Sequence, residues 1–301
     1  MQSNNLFLQL PILEEKRIGL ALKREDLLNP FISGNKYRKL KYNLVEAIDK
    51  GYSTVLTYGG AYSNHIAATS FAAYNKGIKS IGVIRGEELE FRWQQNPTLK
   101  KAHEHGMTLK FVSREAYRNK ESAQFLADLK KEFGDFYYLP EGGTNALAIK
   151  GCEEILKPED KQFDKICTCV GTGGTLAGLV NSSLEHQQVL GFSALKGDFL
   201  NSDIQKMTAN KRWKLITDYH FGGYGKINKQ LVQFINDFKE KTHIPLDPIY
   251  TGKMLYGLLD MIRGDTFVPG TKILAIHTGG LQGITGMNRL LKKKNLPLLD
   301  I

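Results

Sequence analysis

The sequence predicts an α/β protein: two lobes around a cleft, each lobe a mostly parallel sheet flanked by helices. Three observations carry that expectation. Short β-branched runs alternate with segments whose apolar residues recur at helical spacing. Several of those runs end in glycine turns, "TYGG", "VIRG", "LPEGG", "VGTGG" and "IHTGG", and open α/β sheets bind ligands outside the carboxyl ends of their strands. No Pro- or Ser-rich stretch separates two autonomous halves. Two lobes sharing a cleft fit that continuity better than independent domains, with one larger sheet as the alternative.

The β-type runs, in chain order, are Ile18–Lys23, Thr54–Tyr58, Ser80–Arg85, Thr108–Val112, Asp135–Leu139, Lys165–Val170, Val189–Ala194 and Lys272–His277. Helical spacing marks Lys36–Asp49, Asn64–Lys76, Ser122–Phe133, Asn145–Leu156, Thr175–Leu184, Gly225–Lys241, Gly252–Arg263 and Gly283–Lys294. Gly77, Gly106 and Gly134 follow helices as C-cap candidates, where a left-handed residue is needed. A further polar helix begins at Asn96-Pro97 and carries His103, Glu104 and His105. Histidines two apart on a helix do not share a face, so this trio reads as surface, not as a metal site.

The chain has 301 residues, enough to bury a sizeable core. Its apolar runs fall far short of the ~20 residues of a membrane span. The first segment, "MQSNNLFLQLPILEEKR", lacks the basic region and long apolar core of a secretory signal. Three cysteines make no disulfide framework, and Cys167 and Cys169 lie on one face of one strand, so a reducing cytoplasm is expected. The formal charge of +10 raises the question of nucleic acid. Its basic residues are scattered, however, and Trp93 and Trp213 lack the repeated basic and aromatic context of a stacking platform. No nucleic-acid partner is expected.

Two turns carry chemical interest. In "CTCVGTGGTLAGLV" a buried strand meets a glycine turn and then a helix starting near Thr175. Backbone N–H groups in such a turn close around an anion, and the helix N-terminus adds favourable partial charge. It is neither a P-loop nor a G-x-G-x-x-G turn, and tight packing at a strand–helix corner is the plainer explanation. "VLTYGGAYSNHIAATSFAAYNKG" repeats the design, with Ser63 placed as an N-cap. The N–H groups of Asn64 and His65 there suit a ligand carboxylate. In "SGNKYRKL" Lys36 and Lys39 are three apart, on one helix face.

Taken in order, "SGNKYRKL", "GGAYSNHIAA", "PEGGTNALAIKG", "VGTGGTLAG", "LDPIYTGK" and "IHTGG" resemble the 1-aminocyclopropane-1-carboxylate deaminase/D-cysteine desulfhydrase family. These are fold type II pyridoxal 5'-phosphate enzymes, related to tryptophan synthase β subunits and cysteine synthases. The resemblance runs from about Leu22 to about Gly283. It implies a larger lobe of residues 1–40 with 145–301, a smaller lobe of residues 41–144, and the cofactor between them. Lys36 would form the Schiff base, with Asn35 close by and Lys39 reaching the phosphate. Gly171, Thr172, Gly173, Gly174 and Thr175 would hold that phosphate, and Asn64 would contact the pyridine oxygen. Ser63, with the amides of Asn64 and His65, would receive the substrate carboxylate. Tyr224 and Tyr250 match the family's two active-site tyrosines.

The resemblance also bears on the reaction. Deaminases place a glutamate after the second tyrosine, towards the pyridine nitrogen, where this chain has Thr251. They carry an apolar residue where this chain has Thr278, and desulfhydrases carry threonine. The resemblance thus places Thr251 and Thr278 among the cofactor's contacts, the Thr251 hydroxyl hydrogen-bonding that nitrogen; without a charge there the electron sink is weaker, which suits β-elimination from D-cysteine or a similar amino acid better than cyclopropane opening. Deamination of 1-aminocyclopropane-1-carboxylate is the alternative. A dehydratase, a β-replacement synthase and a non-catalytic anion- or nucleotide-binding protein are further ones. Departures from the family pattern are Ser33 where glycine is usual, His65 where deaminases carry glutamine, and the bulk of Tyr37. Cys152 reads as packed and Glu141 as ordering its loop. Family members are usually homodimers acting on small amino acids.

Overall fold

The computed structural model describes residues 3–32 and 34–300. Ser33 therefore lies outside the described residues. The strands are β1 (Asn5–Phe7), β2 (Gly19–Lys23), β3 (Thr54–Gly59), β4 (Lys79–Arg85), β5 (Met107–Val112), β6 (Tyr137–Tyr138), β7 (Lys165–Val170), β8 (Gln188–Ser193), β9 (Trp213–Ile216) and β10 (Lys272–Ile276). The first helices are α1 (Pro11–Glu15), α2 (Gly34–Asp49), α3 (Asn64–Asn75), α4 (Pro97–Glu104), α5 (Arg114–Arg118) and α6 (Ala123–Phe133). Then come α7 (Ala146–Glu153), α8 (Gly174–Ser182), α9 (Leu200–Met207), α10 (Lys229–Thr242), α11 (Thr251–Arg263) and α12 (Ile284–Lys293).

These strands form two sheets. One has the order β1-β2-β10-β7-β8-β9 and is parallel except for β1, which pairs antiparallel with β2. The other has the order β5-β4-β3-β6 and is parallel throughout. Parallel sheets need both faces covered, and the first sheet shows why its strands are so apolar. One face packs on Leu231, Ile235, Met254, Leu258 and Met287 of α10, α11 and α12. The other packs on Leu176, Leu179, Val180 and Ile204 of α8 and α9. Each fully buried aliphatic side chain stabilises by about 1.5–3 kcal/mol.

All eight β-type runs become strands, with Asp135–Leu139 reduced to the two residues of β6. Strands β1 and β9 are additions. The first is a three-residue edge, and the second grows out of the basic "NKRWK" cluster through its pairing with β8. Helices α1, α5 and α9 are short and were not marked by spacing. Gly77, Gly106 and Gly134 take φ of +68°, +80° and +76°, as C-caps require. All three cysteines are buried and unpaired. Among the described residues no helix is long and apolar enough to cross a membrane, and no acid, histidine and cysteine group is arranged to hold a metal.

Two glycines let α2, α7 and α8 pack closely, and that packing aims the lysines. A Cβ on Gly151 of α7 would stand 2.0 Å from the Arg38 carbonyl oxygen of α2. A Cβ on Gly178 of α8 would meet Cys152 Cβ at 2.5 Å and the Ile149 carbonyl oxygen at 2.8 Å. Arg38 itself is fixed by a buried two-point pair with Glu25, Nε and Nη2 each 2.9 Å from a carboxylate oxygen. Gly151→Ala is therefore expected to lower stability by about 3 kcal/mol, the upper part of the usual overpacking range. Gly264→Ala, whose new methyl meets nothing nearer than 3.5 Å, is expected to stay within about 1 kcal/mol of the parent. Denaturant unfolding of the two variants against the parent tests this.

Candidate active site

The carboxyl ends of β3, β4, β6, β7 and β10 converge on a cavity of about 480 Å³. Its wall includes Asn35, Lys36, Lys39, Ser63, Asn64, His65, Gly171, Thr172, Gly173, Thr175, Tyr224, Tyr250 and Thr278. Most residues singled out in the sequence therefore meet in one place, although Asn35 and Thr278 lie far apart in the chain.

One corner is built for an anion. Helix α8 is preceded at its N-cap by Gly173, which has φ +83° and supplies no side-chain cap, so its first N–H groups have no partner within the helix. Lys39 Nζ reaches the same turn, donating to Thr144 Oγ1 at 2.8 Å, to the Gly142 carbonyl at 3.0 Å and to Thr172 Oγ1 at 3.4 Å. Gly174 stands behind the wall and makes room: a Cβ there would lie 2.9 Å from Thr144 and 3.2 Å from Lys39 Nζ. Asn35 closes the corner by donating to Thr175 Oγ1 at 2.8 Å.

Beside it, Lys36 Nζ donates to the Gly142 carbonyl at 2.8 Å. Both lysines thus share one acceptor. Burial, and then the neighbouring charge of Lys39, hold the Lys36 ammonium well below the usual lysine range. Burial lowers Lys39 as well. A lysine so placed spends part of its time as a free amine, the form that attacks a carbonyl. His65 lies under the same turn, 2% exposed, with a Cβ on Gly143 only 2.7 Å from its Cε1. Neither of its ring nitrogens has a hydrogen-bond partner among the described residues. Burial and then the charges of Lys36 and Lys39 push the imidazole well below its ordinary pKa, so it stays neutral.

The opposite wall refines the sequence-based expectations. Ser63 caps α3, its Oγ accepting from the N–H of His65 at 3.2 Å and of Ile66 at 3.3 Å. The His65 amide is thus already engaged, and only Asn64, at the first helical position, is left with an amide that the helix does not use. The Asn64 side chain accepts from Gln282 Nε2 at 2.9 Å, while a Cβ on Gly280 would press its Nδ2 at 2.7 Å. Tyr250 lies across the glycine turn, its Oη 3.2 Å from where Gly171 would carry a Cβ. Tyr224 meets it edge-on, ring centres 6.2 Å apart. Burial raises the pKa of both phenols, that of Tyr250 far more, so both remain protonated donors at neutral pH.

Thr251 is not on the cavity wall, which corrects the expected direct contact. It is fully buried, and its hydroxyl donates to Asp247 Oδ2 at 2.5 Å. Asp247 also accepts the N–H groups of Ile249, Tyr250 and Thr251, at 3.0, 2.8 and 2.8 Å. This carboxylate caps α11 from outside and fixes the Tyr250 backbone. Thr278 does reach the wall, with Oγ1 3.1 Å from Cys169 Sγ. Its turn is held by His277, whose Nδ1 accepts the Gly279 N–H at 3.2 Å. That leaves Nε2–H to donate to the Pro245 carbonyl at 2.8 Å.

Sequence reasoning missed Thr144, Cys169, Asp247 and Arg85. Asp247 carried a signal, an Asp-Pro four residues before the helical threonine, typical of a capping turn. Glu141 orders its loop, accepting from Tyr117 Oη at 2.8 Å and pairing with Lys120 at 3.1 Å.

The His65 environment sets a pH dependence. A histidine whose folded pKa is depressed binds its proton in the unfolded chain first, so stability is full above the unfolded value near 6.5. It declines as pH falls from there towards the folded value, by at most about 1.4 kcal/mol per pH unit for one proton. His65→Gln is expected to flatten the decline of unfolding free energy between about pH 6.5 and 5, read from denaturant unfolding at several pH values. An unchanged slope in the variant contradicts it.

Known proteins resemble this chain along most of its length. A family model described as "Pyridoxal-phosphate dependent enzyme" matches residues 4–279. A provisionally named 1-aminocyclopropane-1-carboxylate deaminase of Pyrococcus horikoshii is 34% identical over 282 residues, covering 87% of this chain and 84% of the relative. The mitochondrial bifunctional D-cysteine desulfhydrase/1-aminocyclopropane-1-carboxylate deaminase of Arabidopsis thaliana is 32% identical, covering 88% of this chain and 73% of its own. A crystal structure of an ACC deaminase homologue matches with a TM-score of 0.83 at 32% identity, over 97% of this chain and 94% of that one. With the two parallel-rich sheets and their helices, these matches make the fold that of the type II enzymes and pyridoxal phosphate the cofactor. The chain belongs to the pyridoxal-phosphate dependent enzymes, in the family of 1-aminocyclopropane-1-carboxylate deaminases and D-cysteine desulfhydrases.

Proposed function

We propose that the protein is a lyase that removes the β-substituent of D-cysteine or a similar β-substituted amino acid, giving pyruvate, ammonia and sulfide. The lobes would be residues 1–40 with 145–301 and residues 41–144, working as a cytoplasmic homodimer. The residues present suit the cofactor. The uncapped start of α8 with Lys39 and Thr172 offers a phosphate corner. Lys36 offers an amine of lowered basicity beside it, in a cavity within the usual size range for small ligands. Bound there, pyridoxal phosphate supplies the electron sink that loosens the bonds at a substrate α-carbon.

The chain's own groups then have separable tasks. The Asn64 amide and the Ser63 turn receive the substrate carboxylate. Lys36, neutral for part of its time, takes the α-proton at Nζ. Tyr250 and Tyr224, held protonated, donate to the departing thiolate. The sulfur leaves with the Cβ–S electron pair, and water converts the resulting enamine to pyruvate and ammonia. The D configuration is taken from the family resemblance.

One observation carries the choice of elimination. Among the described residues Glu141 is the one carboxylate on the cavity wall, and Tyr117 and Lys120 occupy it. Where the family's deaminases bring an acid to the pyridine nitrogen, this chain offers Thr278 and Cys169, and Thr251 spends its hydroxyl on Asp247. Without a charge to hold a proton on the ring, electron demand is modest. That suffices when a good leaving group is present. The names of the relatives favour the second reading, deamination of 1-aminocyclopropane-1-carboxylate to 2-oxobutyrate and ammonia.

The purified protein should be offered D-cysteine, L-cysteine, D-serine and 1-aminocyclopropane-1-carboxylate, with pyruvate, 2-oxobutyrate and sulfide followed. Pyruvate with equimolar sulfide from D-cysteine is expected. Formation of 2-oxobutyrate alone would replace the lead reading by the second.

A further inference from the structure

Arg85, the last residue of β4, lines the cavity with a charge that nothing in the mechanism uses. Its Nη2 lies 3.7 Å from where a Cβ would stand on Gly60, at the entrance to the Ser63 turn. Its guanidinium carbon is 5.6 Å from the centre of the Tyr117 ring. Among the described residues this guanidinium makes no ion pair and donates no side-chain hydrogen bond, and its contact is the Tyr117 ring. An arginine is always charged and presents a planar fork of donors that fits carboxylate, phosphate and sulfonate oxygens in pairs. Glu141, the carboxylate on the same wall, is held by Tyr117 and Lys120.

The location distinguishes Arg85 from the other cations. Lys36 and Lys39 serve the Gly142 and Thr172 corner, whereas Arg85 extends from the end of β4 over the Tyr117 ring. It acts on Tyr117 and Tyr224, pulling both phenols down against burial. Arg85 and Tyr224 line the same cavity, and Tyr224 is one of the two phenols to which the proposed mechanism gives the departing β-substituent.

We propose that Arg85 selects amino acids whose β-substituent is itself anionic, through paired hydrogen bonds from its guanidinium to phosphate, sulfonate or carboxylate oxygens, on the cavity wall that it shares with Tyr117 and Tyr224. This rests on the β-elimination reading and narrows it. For O-phosphoserine the step balances as follows: the Cα–H proton passes to Lys36, the Cβ–O bond breaks with its electron pair leaving on phosphate, and water hydrolyses the enamine to pyruvate and ammonia. Charge-assisted paired contacts of this kind are about twice as strong as neutral ones.

The test uses the cofactor-loaded protein and two readouts. Calorimetry compares the binding of alanine with that of aspartate, in each enantiomer, because neither loses a β-group. Aspartate is expected to bind tenfold or more tightly than alanine of the same configuration. Arg85→Met is expected to bring that ratio close to one, Arg85→Lys to leave it intermediate and Arg85→Glu to reverse it. In turnover, the ratio of kcat/KM for O-phosphoserine over serine is expected to fall tenfold or more in Arg85→Met. Equal binding of the two ligands by the parent overturns the proposal. So does an equal weakening of both in Arg85→Met, which would mark Arg85 as a contact for the α-carboxylate or for cavity shape. If no amino acid yields pyruvate while the aspartate preference still depends on Arg85, the elimination reading fails and the anion site stands. The side chain is exposed, and Arg85→Lys gives a second folded variant should Arg85→Met be impaired.

Discussion

Two helices can bring their backbones together only where no side chain intervenes, and here residue 151 supplies that gap. The Arg38 carbonyl sits where any other residue at 151 would carry its Cβ. The same arginine extends from α2 to a buried carboxylate on the other side, Glu25, with Ser3 Oγ donating to that acid as well. Helix α2 is thereby held along its length and in rotation. Lys36 and Lys39 flank Arg38 in the sequence, so both of their directions follow from this one clamp. Breaking a buried pair of this kind from one side costs about 3–5 kcal/mol, and here it would also release the geometry of the site.

The second consequence is electrostatic. Two lysines three apart on a buried helix face are an expensive arrangement unless an anion is due to arrive. They share the Gly142 carbonyl and add to the field that keeps His65 neutral. The uncapped start of α8 adds positive potential to the same corner. A phosphate would relieve all of these groups at once. The protein thus stores unfavourable charge that ligand binding converts into affinity, and the amine next to it is kept reactive by the same field.

Much of this was legible in the sequence because glycine turns after β-type runs are local signals. The turns after β3, β7 and β10 each brought their residues to the cavity, and Lys36 and Lys39 declared a common face by spacing alone. What was not legible depends on distant parts of the chain. Arg85 appeared in the sequence only as the last residue of a β-type run, and only the fold shows that β4 ends at the cavity. Thr251 followed Tyr250 directly, which cannot say that the first turn of α11 rotates its hydroxyl back onto Asp247. Thr144 and Cys169 carry no motif of their own and matter through Lys39 and Thr278. Strand β9 is itself mostly apolar, but the basic residues just before it masked it, and its pairing with β8 reveals it.

The account stands or falls on the lysine that carries the cofactor. Reduction of the cofactor-loaded protein with borohydride, followed by proteolysis and peptide mass analysis, reads that lysine directly. A pyridoxyl group on the peptide containing Lys36, and its loss in Lys36→Ala, is the predicted result. The same group found on Lys39, on Lys253 or on a surface lysine would contradict it.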